Sequence, residues 1–173
     1  MNEVIKNIKT RRSIRVYTDK RVPKEDLELI MEAGTFAPSG RSMQSPVIVC
    51  IRDRKTRDLI SKLNAAIMNS DGDPFYGAPE LMVVFTKKDR PTKIQDGSAV
   101  ILTMLDAAHS IGVDTCWIHR AKETFETPEG KELMKDWGLS DEYEGIGNVI
   151  LGYHEGEYPD AKPRTEGRII WAD

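Results

Sequence analysis

Asp96-Gly97-Ser98-Ala99-Val100-Ile101-Leu102-Thr103-Met104-Leu105-Asp106-Ala107-Ala108-His109-Ser110-Ile111, followed at once by Gly112-Val113-Asp114-Thr115-Cys116-Trp117-Ile118, is the stretch on which the fold turns. Asp96 has the chemistry of an N-cap. From Gly97 to Ile111 the apolar residues leave almost no polar face, so the pattern predicts a helix buried all round. Gly112 suits a helix C-cap, and the β-branched and aromatic residues after it read as a strand. A chain of this size has little room to surround an apolar helix alone, so a second copy is expected to cover part of it; a central helix in a monomer is the alternative.

Outward from this pair, helices and strands alternate. Asn2 can cap a short helix with Val4, Ile5 and Ile8 on one side. Pro23, Glu25 and Asp26 suit the start of a second helix, with Leu27, Ile30 and Met31 on its apolar face before Gly34. Residues 37–46, rich in Pro, Ser and Gly, read as a loop, and Val47 to Ile51 as a strand buried on both faces. Asp53 caps a helix to about Met68 with Leu59, Ile60, Leu63 and Ile67 in a stripe. Asp71-Gly72-Asp73-Pro74 resembles a fragment of a calcium loop, but it lacks the closing glutamate and reads as a solvated turn.

Leu81 to Phe85, opened by Pro79, is another strand, and Lys87 to Gln95 a short polar connection. Thr127-Pro128-Glu129 starts a helix ending near Trp137-Gly138; Gly147 to Tyr153 is the last internal strand. The tail from Glu155 to Asp173 is polar and closes on Ile169-Ile170-Trp171, a short apolar strand suited to docking. The pattern is that of one α+β or α/β domain over residues 1–173, a single layer of sheet covered by helices.

With 39% hydrophobic and 31% charged residues the 173-residue chain is a soluble globular type. It carries neither a long apolar run nor a signal-peptide succession at its N-terminus, so it is expected to be cytoplasmic. Cys50 and Cys116 lie in apolar strand-like runs and read as buried free thiols. His109, Cys116 and His119 lack recognised ligand spacing, so no metal site is expected.

Net charge is −3, unevenly spread. Residues 1–24 hold eight Lys or Arg against two acids, a surplus of six; the other 17 bases and 26 acids leave −9. A nucleic-acid surface would ordinarily make the whole domain basic, whereas this distribution suits a local anion site. The basic segment centres on Arg11-Arg12-Ser13-Ile14-Arg15-Val16-Tyr17, whose guanidiniums can bind phosphate or carboxylate oxygens; a solvated basic face is the competing reading. The chain has no Gly-x-Ser-x-Gly elbow, Walker loop or Rossmann glycine fingerprint. An enzyme built from these side chains would depend on a cofactor carrying its own reactivity.

Six short motifs, in order, resemble the FMN-dependent nitroreductase family: Arg-Arg-Ser-Ile-Arg-x-Tyr at 11–17, Ala-Pro-Ser at 37–39 with Gln44, Gly-Ala-Pro at 77–79, Gly-x-x-Thr-Cys-Trp-Ile at 112–118, Gly-Tyr at 152–153 and Lys-Pro-Arg at 162–164. The resemblance implies an α+β fold, with a central, mainly antiparallel sheet flanked by helices and a C-terminal strand exchanged in a homodimer. It also implies two FMN sites at the subunit interface, reduced by NADH or NADPH and reoxidised by nitroaromatics, quinones or similar acceptors in a ping-pong cycle. Reduction of free flavin or of another acceptor, and non-catalytic FMN binding, are the alternatives; no nucleic acid or membrane partner is expected.

The resemblance further implies that Arg11, Arg12 and Ser13, with Lys162 and Arg164, hold the ribityl phosphate. Arg15 would face the flavin N1 and O2 edge, where negative charge collects on reduction, and is the residue nearest to a catalytic one. Backbone amides at Thr115, Cys116 and Trp117 would bond the ring, Asn64 its pyrimidine edge, and Pro38, Ser39 and Gln44 would approach from the other subunit. The chain departs from the family pattern at Ser42, where many members have Asn, and at Ser45-Pro46, where they have Pro-Trp. Larger members also insert a helical excursion where this chain has only residues 87–95.

Overall fold

Leu81, Val83 and Phe85 alternate with Met82 and Val84 along one strand, and all five are fully buried, because that strand runs through the middle of a sheet covered on both faces. The computed structural model describes residues 1–172; Asp173, the last residue of the tail read above, lies outside the described residues. Strands β1 (Val47–Ile51), β2 (Glu80–Lys87), β3 (Asp114–Ile118) and β4 (Tyr143–Gly152) form one antiparallel sheet in the order β1-β2-β4-β3. Strands β2 and β4 are its centre.

Helices α1 (Glu3–Thr10), α2 (Lys24–Thr35), α3 (Arg54–Ile67), α4 (Lys93–Ser110), α5 (Ala121–Glu126) and α6 (Pro128–Asp136) flank the sheet. On one face Leu81, Val83, Phe85 and Ile150 pack with Ile60 of α3, Phe125 of α5 and Met134 of α6. On the other, Met82, Val84, Val149 and Leu151 meet Leu27 and Ile30 of α2 and Val100, Ile101, Met104 and Leu105 of α4. None of the described helices is long and apolar enough to cross a membrane.

Side-chain caps mark three of the six helix starts. Asn2 accepts the Val4 N–H at 2.9 Å, Asp53 the Thr56 N–H at 2.8 Å and Thr127 the Gly130 N–H at 3.0 Å. Asp96 does something else. Helix α4 begins a turn earlier, at Lys93, so Asp96 sits inside it, buried, accepting the Gly40 N–H and the Thr92 hydroxyl, each at 2.9 Å. Its carboxylate therefore anchors the 37–46 loop to α4.

Within the single chain α4 is buried along one stripe only, which leaves its outer side as the part the expectation gave to a second copy. The sheet covers one stripe, Gly97, Val100, Ile101, Met104, Leu105 and Ala108, while Leu102 is 53% exposed on the outer side. Gly97 permits the approach: a Cβ there would fall 2.7–3.0 Å from the Ile146 side chain. Strand β1 is likewise not buried on both faces. It pairs only with β2, so four of its five residues stay half-buried.

Strand β3 begins at Asp114, two residues later than expected, and β4 at Tyr143, four residues before Gly147. The six-residue α5 was not expected, since it is too short for a helical period to show and abuts α6 at Thr127. Ile169-Ile170-Trp171 forms no strand in this chain, and the three side chains are 81%, 87% and 86% exposed.

Candidate functional site

Arg11 closes α1, its N–H donating to the Asn7 carbonyl at 3.0 Å. Beyond it the chain is extended, and the Ile14 N–H donates to the Thr115 carbonyl at 3.0 Å, laying Ser13 alongside β3 as a parallel bridge. Ile14 and Tyr17 turn into the core, where the Tyr17 hydroxyl donates to the Ile14 carbonyl at 3.0 Å and burial pushes its pKa up. Arg15 is left outside, on the solvent side of the same edge. Ile14 and Tyr17 thus pin the segment to the core while Arg15 and Val16 between them face outward.

Arg11 and Arg12 are half-buried. Arg11 Nε lies 3.8 Å from Asp106, and Arg12 donates one Nη to the Lys9 and Arg11 carbonyls at 2.8 Å each. Arg11 Nη1 and Arg12 Nε are buried with no partner among the described residues, as is the Thr115 hydroxyl beside Ser13. Unanswered guanidinium donors on two successive arginines are groups an oxyanion would satisfy. Burial pushes the Cys116 thiol up, against the opposing pull of Arg15, a Ser13 hydrogen bond and Arg11.

Tyr158 was not anticipated, a single tyrosine in a polar tail offering no periodic signal. Its hydroxyl accepts the Arg12 N–H at 3.0 Å, and its ring stacks on His109 at 6.2 Å and meets His154 edge-on at 5.3 Å. The tail is therefore tied down at its root. Lys162 and Arg164, farther along, are exposed.

Arg15 and Trp117 help line a cavity of about 390 Å³ together with Ser70, Asp73, Tyr76 and Arg120. The end of β3 that forms its floor is fixed by amides. Asn64, fully buried, donates to the His119 carbonyl at 2.9 Å and accepts from Arg120 Nε at 3.1 Å; Asn148 donates to the same carbonyl at 3.3 Å. Both ends of the Asn64 side chain are thus engaged by protein.

The opposite wall is the 69–78 loop, and here the expectation of a solvated turn is corrected. Asp73 accepts from Arg57 Nη2 at 2.7 Å, from the Phe75 N–H at 2.9 Å and from the Gly77 N–H at 2.7 Å. The Ser61 hydroxyl also donates to it. Burial alone would raise the Asp73 pKa, but these hydrogen bonds outweigh it and hold the carboxyl below its ordinary range.

Pro38, Ser39 and Gln44 stand apart from this group. Ser39 Oγ accepts the Gln44 N–H at 2.9 Å, and both residues line a second cavity of about 370 Å³ with Met31, Pro46 and Val100. Arg41, Ser42 and Gln44 all have positive φ, 54°, 54° and 48°, an arrangement that costs conformational energy and is held by the Asp96 anchor at Gly40. The sequence-predicted site residues therefore fall into two separate groups.

Known proteins share this fold. Residues 8–153 match the family model described as Nitroreductase family. A protein of Archaeoglobus fulgidus, provisionally described as an NADH dehydrogenase/NAD(P)H nitroreductase, is 30% identical over 162 residues, covering 91% of this chain and 88% of its own. An NAD(P)H-type FMN reductase of Bacillus subtilis is 34% identical over 94 residues, 54% of this chain and 35% of that protein. A crystal structure of a nitroreductase with bound FMN from Bacteroides fragilis superposes with a TM-score of 0.91 at 29% identity, covering 100% of both chains. At 24% identity, a Desulfitobacterium hafniense nitroreductase structure repeats the fold with a TM-score of 0.89.

Proposed function

The chain belongs to the nitroreductase family, and from that premise we propose that it is an NAD(P)H-dependent FMN oxidoreductase, working as a homodimer and reducing nitroaromatic, quinone or similar acceptors by a ping-pong mechanism. The observation that carries this reading is the set of unanswered donors on Arg11 and Arg12 beside Ser13. They suit a phosphate dianion. FMN held by these residues would supply two-electron chemistry, hydride acceptance from NAD(P)H and electron delivery to an acceptor in separate half-reactions.

The protein's part is to bind, orient and tune. Arg11, Arg12 and Ser13 hold the phosphate, joined by Lys162 and Arg164, whose exposure leaves them free to close over it. Arg15 supplies a fixed positive charge where the ring gains negative charge, and a preorganised cation there costs no reorganisation during reaction. The β3 backbone at Thr115, Cys116 and Trp117 runs beside the ring. Asn64 acts indirectly, by holding His119 and Arg120 in place. Pro38, Ser39 and Gln44 of a second copy complete the site, which accounts for the two separate groups of site residues in one chain. For a nitro acceptor the balance is NAD(P)H, a proton and R–NO2 giving NAD(P)+, R–NO and water.

The test is anaerobic stopped flow on the purified yellow protein. NADH or NADPH should bleach the flavin absorbance, and a nitroaromatic or quinone should restore it. A flavin that stays oxidised overturns the enzyme reading. The double variant Arg11→Ala with Arg164→Ala should purify colourless; stoichiometric FMN in it would remove both residues from the phosphate site.

A further inference from the structure

We propose, resting on the phosphate site read above, that His109 is a proton-linked member of that site. A phosphate monoester dianion seated beside Arg11 and Arg12 draws a proton onto its imidazole, so the flavin nucleotide is held more tightly as that proton is taken up. His109 stands in the last turn of α4, and its Nε2 lies 2.9 Å from the Thr10 hydroxyl at the end of α1, one residue before Arg11. Its ring stacks on Tyr158, the same tyrosine whose hydroxyl accepts the Arg12 N–H at 3.0 Å. One contiguous cluster therefore joins the imidazole to the arginine run.

Hydrogen bonding fixes where the proton goes. Thr10 has one hydroxyl hydrogen, which it gives to the Lys6 carbonyl at 2.9 Å, with the Asn7 carbonyl at 3.3 Å as a second acceptor. Toward His109 the hydroxyl oxygen is therefore an acceptor, and the neutral imidazole carries its hydrogen on Nε2. Nδ1 has no hydrogen-bond partner among the described residues and is the atom left to take a second proton.

Charge decides when it is taken. Asp106, on the same helix, lies 3.8 Å from Arg11 Nε, and Asp114, at the start of β3, meets the backbone N–H and the Nδ1 of His154 at 2.8 and 2.7 Å. Arg12 donates to the Lys9 and Arg11 carbonyls rather than to a carboxylate. Lys6 and Lys9 of α1, and Glu155, Glu157 and Asp160 of the tail, are exposed to solvent. Both acids near the imidazole are thus engaged elsewhere, and the Arg12 charge is left over. Burial pushes the His109 pKa below its ordinary range; Asp114 and Asp106 pull it up, while Arg11 and Arg12 push it further down. A dianion on the unanswered Arg11 Nη1 and Arg12 Nε offsets the two guanidiniums. The field at His109 then comes from Asp106, Asp114 and the negative end of α4, all of which favour the imidazolium.

The sign follows from linkage. At a pH above both the free and the bound pKa the imidazole is neutral in either state and adds nothing to affinity. Between them binding takes up a proton, and below both the gain is complete.

The experiment titrates FMN, and separately riboflavin, into the flavin-free full chain at about pH 6 and about pH 8, read by flavin fluorescence. His109→Gln keeps an amide hydrogen for Thr10 and cannot titrate. The ratio of wild-type to variant affinity for FMN should be about tenfold larger at the lower pH, the equivalent of one pKa unit. The second ionisation of the FMN phosphate, at about pH 6, acts on both proteins and drops out of that ratio. A ratio equal at the two pH values overturns the proposal, and so does a uniform loss of affinity in the variant, which is what lost packing would give. Riboflavin has no phosphate and should show no change in the ratio; a change as large as that for FMN would overturn the link to phosphate. NMR of the three histidines, assigned through His119→Gln and His154→Gln, reads the proton directly on the wild type. The His109 midpoint should rise by about one pH unit or more when FMN is bound, and an unmoved midpoint overturns the proposal. If the chain binds no flavin, inorganic phosphate titrated into the same full chain should still raise that midpoint, and Arg11→Ala should abolish the rise. Loss of the flavin reading is thereby distinguished from loss of the proton link, which a midpoint indifferent to phosphate would establish.

Discussion

The hydroxyl of Tyr158 accepts the backbone N–H of Arg12 at 3.0 Å. This bond ties the root of a polar tail to the arginine run, and the four residues from Tyr158 to Lys162 can span at most about 14 Å. Lys162 is thereby kept near the proposed phosphate site although it makes no ion pair among the described residues. Tyr158→Phe removes the acceptor, keeps the ring between His109 and His154, and leaves a part-buried N–H unanswered, at a cost of about 1–3 kcal/mol. FMN affinity, measured by fluorescence titration, should weaken by about tenfold. An unchanged Kd would detach the tail root from the site.

Asp73 gives a pH signature. Its folded-state pKa is held below the ordinary carboxylate value, so its contribution to stability is present in full above the unfolded-state pKa and is lost as pH falls through the folded one. Denaturant unfolding between neutral pH and about pH 3 should show that loss, and Asp73→Asn should flatten it. The variant also leaves the nearly fully buried Arg57 with the half-exposed Asp58, 2.9 Å away, as its one carboxylate partner among the described residues, beside the Ala78 carbonyl at 3.2 Å. Partial rescue by Asp58 keeps the expected destabilisation at neutral pH to about 2 kcal/mol, below the full cost of stranding a buried charge. An Asp73→Asn protein with the wild-type pH profile would show that this carboxylate is not the one titrating.

How far the sequence carried depended on how local the signal was. Asn2, Asp53 and Thr127 cap helices as their positions suggest, because an N-cap is decided within three residues. Asp96 has the same chemistry yet is engaged by Gly40, more than fifty residues away, which no local pattern encodes. The apolarity of α4 was legible, but which stripe meets the sheet was not, since periodicity fails when every face is apolar. At the site, the arginine run was visible as charge. Tyr158, Asp73 and Arg120 were not, because each depends on a partner distant in the chain, Arg12, Arg57 and Asn64 respectively.

Gly147 and Trp117 test the cavity wall. A Cβ at Gly147 would collide with the indole nitrogen of Trp117 and come within 2.7 Å of Ile101 Cδ1. Gly147→Ala must therefore push the indole outward, toward the cavity it helps line, or strain β4; overpacking of this kind costs about 1–3 kcal/mol. The expected outcome is a shifted tryptophan emission and a raised KM for the acceptor with FMN still bound. Wild-type emission and KM would mean that the indole accommodates the methyl without moving.

Arg15→Ala separates tuning from anchoring. The phosphate-holding residues remain, so FMN should stay bound, while loss of a cation beside the ring should lower the two-electron potential by about 30–60 mV, the equivalent of about 1.4–2.8 kcal/mol. Equilibrium reduction against a reference dye reads this directly. A potential equal to that of the wild type would place Arg15 away from the edge that gains charge.

The outer face of the single chain is the last test. Ile169, Ile170 and Trp171 are more than 80% exposed, and Leu102 on α4 is more than half exposed. Burial of one large apolar side chain stabilises by about 1.5–3 kcal/mol, so covering the three tail residues against a second copy would contribute several kcal/mol to association. Ile170→Asp combined with Trp171→Asp should convert a dimer into a monomer at micromolar concentration, read by light scattering after size exclusion. Because Pro38, Ser39 and Gln44 are proposed to come from the partner, the same variant should lose FMN in step with the dimer. A variant that is monomeric and still fully loaded would confine the flavin site to one chain; one that remains dimeric would take the tail out of the interface.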